Sequence, residues 1–427
     1  MQQAGPRAHF VSEVHSVFEK ERHLLRGISD EIWTRPELSH DEVFAHQVLT
    51  DALRERDFFV MPHYVLPTAF TAEHHISEEG GPTVCIICEY DAMGNIGHCC
   101  GHNLVATAGI AAAIAVKEVA KKDSSLAGKL RVLGTPAENN GLGKTKLLEK
   151  NAFQGVDVAL AVHPASRGTF KYTSPCSCLT RITYHGRESS LLCPWEGNNA
   201  MDAAVNAYYN LAFVKRQLPL AWDISAVILT EGSETPLVLP DVCKLELFCR
   251  TPTPDDLLEL QRQLRSCFLA PCHATGCMVS FDYTLPYIDF IANDVLVEVY
   301  ERHAGRIGCL SRLLGRSPGG QETEFSQLAT GMGNVSHAMP TLCPMFALDV
   351  QPVGQFNTEE FTNAACTSEA FERTMDAAKC LTLTALELFS SSDLVKKVKA
   401  CFKEQKSTRS CLGSTVPSEV SECDGRR

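Results

Sequence analysis

The densest group of polar side chains that could do chemistry lies in one segment, EYDAMGNIGHCCGHN, which runs from Glu89 to Asn103. Within it, Cys100 and His102 stand two residues apart across a glycine. A thiolate and an imidazole at that spacing can bind one zinc ion, because zinc accepts both sulfur and nitrogen donors. Asp91, a little earlier in the segment, can orient a ligand imidazole through a hydrogen bond. The segment therefore indicates a metal site.

Two further segments carry side chains of the same kind. Glu138 follows an apolar run in the sequence GTPAEN, and His163 follows another in AVHP. Such runs form buried strands, and open α/β sheets place their sites at the carboxyl ends of strands. A carboxylate such as Glu138 beside a metal-bound water can take its proton and later return it to a leaving amine. Cys100, His102 and His163 are thus candidate ligands, and Glu138 is a candidate general base.

A purely structural explanation stands beside this one. A single histidine or cysteine at a strand end is usually packed or solvated, and free cysteine is among the most buried residue types. Cys85 and Cys88 lie within an apolar run, so burial explains them, while His98 and Cys99 are explained as residues that shape the loop. The metal site is favoured because three separate segments each end in a ligand-type side chain.

Two other catalytic patterns are excluded. Gly143-Lys144-Thr145 resembles the end of a phosphate-binding loop, but the position that requires a glycine, five residues before Gly143, is Glu138. The Gly-x-Ser-x-Gly pattern of serine hydrolases occurs once, as GRSPG at 315–319, but no strand is predicted before it, as the elbow of these enzymes would require. Neither a nucleotide-binding loop nor a serine nucleophile is therefore predicted.

The hydrophobic pattern predicts the elements that position these residues. Apolar runs at 84–88, 129–133 and 156–162 indicate a parallel sheet, an Ala-rich helix is predicted over 103–121, and an amphipathic helix opens the chain. The middle of the chain reads strand, helix, strand, strand, helix, strand, which resembles a ferredoxin-like unit. Helices are predicted again over 295–304 and 369–389, and residues 344–348 are expected to add a strand to the first sheet.

The predicted fold class is α/β, with a parallel-rich sheet flanked by helices and an inserted βαββαβ domain. The predicted boundaries are 1–177 and 293–394 for the larger domain, 178–292 for the insertion, and 395–427 for a flexible tail.

Composition excludes several classes of function. The 427 residues include 51 acidic and 39 basic side chains, a net charge of -12 that repels nucleic acid and anionic lipid. The apolar run 104–116 is too short and too rich in alanine to span a bilayer, and the N-terminus does not read as a secretory signal. The 19 scattered cysteines do not show the spacing of a disulfide scaffold. We therefore expect a cytoplasmic protein without a nucleic-acid or membrane partner.

Several blocks of the sequence resemble the zinc-dependent aminoacylase and dipeptidase superfamily, and within it the β-alanyl-lysine dipeptidase type. The resemblance covers roughly residues 14–392, in the blocks IWTRPELSHDE, LPTAF, CEYDAMGNIGHCCGHNL, LGTPAE, AVHP, PWEGNNAMDAA and GNVS. It implies hydrolysis of a small dipeptide ending in a basic amino acid, or of an N-acyl amino acid. It also implies a catalytic domain with two metal ions, and an inserted lid domain through which two copies form a homodimer.

The resemblance also implies roles for individual residues. Cys100 would bridge the two metal ions, and His102 and His163 would complete the coordination of one of them. Glu138 would be the general base that activates the bridging water. Arg250, in the block FCRTP, would meet a substrate carboxylate, a task that suits the fork of a guanidinium group.

The sequence departs from the family pattern at several places. Asn139 stands where a second glutamate would bind the other metal ion, and Asn357 stands where a histidine would bind the same ion. An amide offers neither charge nor imidazole nitrogen, so at most one zinc ion is expected. In the lid, Ser189 or Ser190 replaces a histidine that would steady the oxyanion across the dimer. Losing one oxyanion donor typically costs about 2.7 to 4 kcal/mol.

Two hypotheses follow from these departures. The first is an active amidohydrolase of low activity that works with one zinc ion. The second is a non-catalytic paralogue that binds a metabolite or pairs with an active relative. The sequence favours strongly impaired catalysis, because two of these losses fall on the same metal ion and another removes the histidine that would act across the dimer.

Overall fold

The computed structural model describes residues 8–78, 80–139, 141–230, 235–315, 329–350 and 356–407. In chain order, its elements are α1 (Ala8–Thr34), α2 (Val43–Arg54), β1 (Phe59–Pro62), β2 (Phe70–His75), β3 (Thr83–Cys88), α3 (His102–Ala120), β4 (Lys129–Gly134), α4 (Gly143–Glu149), β5 (Val158–Leu160), β6 (His163–Ala165), β7 (Cys176–His185), β8 (Ser189–Ser190), a 3₁₀ turn (Pro194–Glu196), α5 (Ala200–Lys215), β9 (Asp223–Thr230), β10 (Val238–Leu239), β11 (Val242–Thr251), α6 (Pro254–Thr275), β12 (Met278–Tyr283), α7 (Asp294–Arg306), α8 (Leu310–Leu314), α9 (Gly331–Ala338), β13 (Thr341–Leu342), β14 (Met345–Ala347), α10 (Glu359–Ala364), α11 (Ser368–Ser390) and α12 (Ser392–Ser407).

The described chain divides into two compact units. The first contains the residues up to Thr173 and most of those from Phe290 onward, and the second contains Ser174–Asp289. Each unit has its own cluster of buried apolar side chains.

A six-stranded sheet forms the centre of the first unit, in the order β1-β2-β4-β3-β5-β13. The strands β4, β3, β5 and β13 are parallel, and β2 and β1 continue the sheet in antiparallel pairing. An almost continuous apolar run forms β3 because helices cover both faces of such a sheet. The predicted parallel-rich sheet is confirmed, and the carboxyl ends of β3, β4 and β5 meet at one edge.

The helix α3 lies in the core of the first unit, where it packs against β3, α1 and α11. Nearly all of its residues are buried, which is why it has no polar face. Within the described residues, α3 alone has the length and composition that crossing a membrane would need, but 94% of its most apolar window is buried in the protein. We interpret it as a core helix, as the sequence predicts.

A four-stranded antiparallel sheet forms the second unit, in the order β12-β7-β11-β9. Along the chain the elements follow as β7, α5, β9, β11, α6 and β12, the predicted βαββαβ order, and α5 and α6 pack against the sheet. Buried and less buried residues alternate along β11, as expected for a sheet covered on one face.

The structure corrects two expectations. Residues 392–407, which the sequence assigns mostly to a tail, form α12, and this helix packs against α7 and α11 through Val395 and Val398. The remainder of the expected tail lies outside the described residues. The strand expected at 344–348 is β14, but it pairs with β6 in a separate two-stranded sheet, whereas β13 joins the main sheet. The break between β13 and β14 separates the two pairings.

Candidate metal centre

Four polar side chains meet at the carboxyl edge of the main sheet. Glu89 directly follows β3, Glu138 follows β4 after a short loop, and His163 begins β6 just beyond β5. His102 is the first residue of α3, which starts at the same edge. The crossover connections of a parallel sheet bring these separate segments together.

Glu89, His102 and His163 form a group of possible metal ligands. One ligand atom from each of the three lies within 4.8 Å of the other two. Glu89 Oε2 lies 3.4 Å from His102 Nε2 and 3.9 Å from His163 Nε2. Glu89 and His102 are almost completely buried, and the His163 side chain is 12% exposed.

Both histidines are held through their Nδ1 atoms. His102 Nδ1 donates to Asp91 Oδ1 at 2.8 Å, and His163 Nδ1 donates to the Pro164 carbonyl at 2.7 Å. In the tautomer that these acceptors select, each Nε2 presents a lone pair. Glu89 Oε2 is buried and makes no hydrogen bond with the described residues. Three acceptor atoms thus face one another, which requires a proton or a metal ion among them.

The electrostatics of the two rings differ. Burial lowers the pKa of His163 to about 4, so at neutral pH the ring is in the neutral form that binds metal ions. Burial also acts to lower the pKa of His102, but Asp91 and Glu89 together raise it to about 9. Without a metal ion, His102 therefore holds the proton that partly neutralises these carboxylates, and a metal ion would displace that proton.

Glu138 is held at the same edge by contacts to both of its oxygens. Its Oε1 accepts hydrogen bonds from Thr330 Oγ1 at 2.8 Å and from the Gly331 backbone N–H at 2.7 Å, while Oε2 lies 2.6 Å from Lys144 Nζ. Burial raises the pKa of Glu138, and Lys144 opposes this rise. The preceding Ala137 has a φ of 58°, an uncommon conformation for a residue other than glycine. A buried, fixed carboxylate with a raised pKa suits a general base.

Lys144 connects this carboxylate to the group of possible ligands. Its side chain has no solvent exposure, and Nζ lies 2.7 Å from Glu89 Oε1 and 2.6 Å from Glu138 Oε2. The sequence analysis missed both Glu89 and Lys144. An acidic residue directly after a buried strand could have pointed to Glu89, whereas no local pattern distinguishes Lys144.

Cys100 belongs to a neighbouring cluster with Asn139 and Asn357, the two positions where the sequence predicts the loss of metal ligands. Its Sγ donates to Asn139 Oδ1 at 3.1 Å and to Asn357 Oδ1 at 3.3 Å. The structure therefore brings these three positions together, as the resemblance implies. Among the described residues, however, the compact donor group contains Glu89 beside the two histidines and does not include Cys100.

Gly101 permits the close approach of this loop to the strand end that carries His163. It has a φ of 71°, and a Cβ at this position would lie 2.6 Å from Pro164 Cγ. A larger residue would therefore meet both backbone strain and a clash. The glycine between Cys100 and His102 is therefore required by the backbone conformation and by the packing against Pro164, as well as by the spacing of the two side chains.

Three of the residues predicted for the site lie in the second unit. Arg250, on β11, has its Nη2 3.3 Å from Asp223 Oδ2. Ser189 Oγ donates to the Cys193 carbonyl at 2.7 Å, and Ser190 Oγ accepts from the Leu192 backbone N–H at 3.2 Å. Their roles in a reaction stay predictions.

Known proteins of similar sequence and fold include several hydrolases, although no family model matches the chain. The human Xaa-Arg dipeptidase is 33% identical over 403 residues, which cover 89% of this chain and 88% of the dipeptidase. The N-acetyl-L-cysteine deacetylase of Bacillus subtilis (strain 168) is 28% identical over 259 residues, or 55% of this chain and 60% of that protein. A solved structure from Bacillus subtilis, a dinuclear metal-binding peptidase of the M20 family, matches 87% of this chain and 99% of its own with a TM-score of 0.57 at 17% identity.

Proposed function

Because this chain belongs to the metallopeptidase and aminoacylase family, we propose that it is a metal-dependent hydrolase of the amide bond in small dipeptides or N-acyl amino acids. The relatives named Xaa-Arg dipeptidase support a dipeptide that ends in a basic amino acid. The observation that carries the proposal is the group of three buried acceptor atoms, on Glu89, His102 and His163, beside the buried carboxylate of Glu138.

A single zinc ion is the proposed cofactor, with His102 and His163 as two of its ligands. The third ligand is either Glu89 Oε2 or Cys100 Sγ, the donor implied by the family resemblance. The compact donor group, and the absence of a hydrogen bond to Oε2 among the described residues, favour Glu89. A zinc ion bound there would polarise the scissile carbonyl and lower the pKa of a bound water.

Glu138 is the proposed general base and acid. Its carboxylate takes a proton from the attacking water and returns it to the leaving amine. Thr330, Gly331 and Lys144 hold it in place through both oxygens. Arg250 is proposed to bind the carboxylate of the substrate, because its guanidinium group suits that geometry.

The test combines metal content with hydrolysis. Purified protein should contain about one zinc per chain by elemental analysis, since three protein ligands and a water make a catalytic site. The wild type should cleave dipeptides that end in Lys, Arg or ornithine faster than Glu138→Gln does. The N-terminal residue of these dipeptides is β-alanyl, γ-aminobutyryl or an ordinary amino acid. Equal rates for the wild type and this variant would exclude the hydrolase function.

The identity of the third ligand can be decided by a pair of substitutions. If Glu89 is the ligand, Glu89→Gln loses zinc and Cys100→Ser keeps it, and the reverse result assigns Cys100. Cys99→Ser is the matched control, since it changes the neighbouring thiol and should retain the zinc of the wild type.

Impaired catalysis is part of the proposal, and a specific observation supports it. Asn139 and Asn357 place two neutral amide oxygens around Cys100, where the family resemblance implies charged or imidazole ligands. Turnover should therefore rise in the double variant Asn139→Glu/Asn357→His, which restores those ligands. If the wild type binds zinc without hydrolysing any dipeptide and the double variant is equally inactive, the second candidate, a metabolite-binding paralogue, becomes the better description.

We also propose a homodimer in the cytoplasm. The strand β9 lies at an edge of the described four-stranded sheet and exposes Val227 and Leu229, while α5 exposes Tyr209 and Phe213. Apolar side chains on an open edge support pairing with a second copy. Val227→Lys should then shift the sedimentation coefficient to that of a monomer, and a monomeric wild type would exclude the dimer. The described cysteines are thiols outside any disulfide, which supports a reducing compartment.

A further inference from the structure

Lys144 is the one residue of the site whose presence the chemistry described so far does not explain. Its ammonium group is completely buried at the start of α4, between Glu89 Oε1 and Glu138 Oε2. Removing an ammonium from water is unfavourable by several kcal/mol unless charged partners compensate. Both partners here are also buried carboxylates, so the three groups can be stable only together.

The contacts of Lys144 determine how the two carboxylates are oriented. On Glu89, Oε1 is engaged by Lys144, and this leaves Oε2 to face the Nε2 atoms of His102 and His163. On Glu138, Lys144 contacts Oε2. One ammonium group therefore sets the direction of a candidate ligand and of the candidate base.

The charges of the buried groups also support a role for Lys144 in the metal centre. Glu89 and Glu138, which contact Lys144, and Asp91, which contacts His102, are carboxylates, so together with the Lys144 ammonium they have a net charge of -2 when both imidazoles are neutral. The buried carboxylate of Glu42 lies outside this set, because Thr68 and the Ala137 backbone N–H hold it. One divalent ion would neutralise this charge, whereas two such ions would leave an excess of two positive charges. Buried charge is tolerated when it is paired, so the presence of Lys144 fits a site for one ion.

We propose that Lys144 is a positioning residue that serves as a cation built into the site: it turns Glu89 Oε2 toward the histidines, holds Glu138, and suits the site to one divalent ion. This inference rests on the proposed metal-dependent function. Lys144 would then bind the oxygen of Glu89 that does not face the metal ion. Removing a residue that holds a metal ligand in this way typically lowers metal affinity ~10- to 100-fold.

The experiment measures zinc affinity by competition with a chelator, using full-length protein whose fold is verified by circular dichroism. Lys144→Met removes the charge but keeps the length of the side chain, and it should weaken zinc binding by at least ~10-fold. Lys144→Arg keeps the charge and should recover most of the affinity. Lys146→Met is the matched control on the same helix, because Lys146 Nζ contacts His40 instead and should not affect zinc.

The kinetic readout separates positioning from general stability. If Lys144→Met displaces Glu138, kcat should fall with little change in KM when both are measured at saturating zinc. If the variant is instead partly unfolded, the fraction of active enzyme should fall by the same amount as the circular dichroism signal of the folded protein. If Lys144→Met does not fold, Glu138→Gln/Lys144→Met removes one of the two carboxylates along with the lysine. The same loss of zinc affinity is expected there, relative to Glu138→Gln alone.

The possible outcomes are distinct. Zinc affinity in folded Lys144→Met that is equal to or tighter than that of the wild type would overturn the positioning role, while the proposed function would stand. A loss that Lys144→Arg does not recover would also overturn it, because the charge would then not be the cause. A wild type that binds no zinc at all would overturn both proposals.

Discussion

At the scale of single residues, Asp91 determines how one histidine of the metal centre is presented. Its Oδ1 accepts from His102 Nδ1 and its Oδ2 accepts from the Asn139 backbone N–H, each at 2.8 Å. Burial acts to raise the pKa of Asp91, but His102 and these hydrogen bonds hold it well below its usual range. A permanently charged acceptor behind the ring keeps the proton on Nδ1 and Nε2 available for a metal ion.

We therefore expect Asp91→Asn to weaken zinc binding ~10- to 100-fold, because an amide can turn its NH₂ group toward His102 and disturb the tautomer. Competition with a chelator measures the change. Asp51→Asn is the control, since Asp51 pairs with Arg54 on α2 and should leave zinc affinity unaltered. Equal affinities of the two variants would contradict the role of Asp91.

A second prediction at this scale concerns acid stability. His46 is buried, and burial together with the nearby His63 and Arg54 lowers its pKa from 6.5 to about 4. The unfolded chain therefore binds this proton more readily, so the free energy of unfolding decreases as the pH falls from about 6.5 toward about 4.

Urea unfolding at pH 7 and pH 4.5 tests this. His46→Gln cannot titrate and should lose less stability between the two pH values than the wild type does. His23→Gln, at an exposed position on α1, should behave like the wild type. An identical decrease for all three proteins would show that His46 does not contribute.

At the scale of elements, the packing of the alanine-rich helix α3 affects the metal centre, because this helix begins at the site. Small side chains allow α3 to lie close to β3, and Gly109 lies at this contact. A Cβ on Gly109 would lie 2.4 Å from Cys88 Sγ, at the end of the strand that precedes Glu89. The packing of this one helix thus affects two residues of the donor group, because α3 begins with His102.

Gly109→Ala should accordingly destabilise the protein by about 1 to 3 kcal/mol, since the extra methyl group must displace the helix or the strand. Gly27→Ala is the matched control. Gly27 lies in α1, where a Cβ would have no neighbouring atom within 4 Å, so alanine should stabilise that helix by roughly 0.5 to 1 kcal/mol. Urea unfolding measures both changes, and effects of the same sign would contradict this account of the packing.

At the scale of the whole molecule, the two units have separate cores and the donor group belongs to only one of them. Leu245 lies at the centre of the second core and is completely buried. Glu89, His102, His163, Glu138 and Lys144 all belong to the first unit. Damage to the second core should therefore leave metal binding intact.

Leu245→Ala should lower the stability of the second unit by about 2 to 5 kcal/mol, through lost burial and the cavity that remains. Hydrogen exchange read by mass spectrometry should increase in peptides from residues 174–289, while zinc content stays at the level of the wild type. Met278→Ala, at an exposed position of β12 in the same sheet, should change little. Loss of zinc in Leu245→Ala would contradict the assignment of the centre to the first unit.

Many of the helices and strands of this protein, and its family, could be predicted from the sequence. Apolar runs predicted β3 and β4, the alanine-rich segment predicted α3, and the alternating segments predicted the βαββαβ unit. Residues one to four positions apart govern such patterns, so they are visible without a structure. The same reasoning placed Asp91, Glu138 and His163 after predicted strands and His102 at the Ala-rich helix, whereas Glu89, which directly follows β3, was missed.

Which atoms meet at the site could not be predicted from the sequence, because it depends on the tertiary structure. Glu89 Oε2 faces the histidines because Lys144, from a helix after the next strand, engages the other oxygen. Thr330 and Gly331 reach Glu138 from a segment nearly two hundred residues later. The direction of a donor atom depends on such distant hydrogen bonds and ion pairs, and these exist only after the crossover connections have assembled the sheet edge.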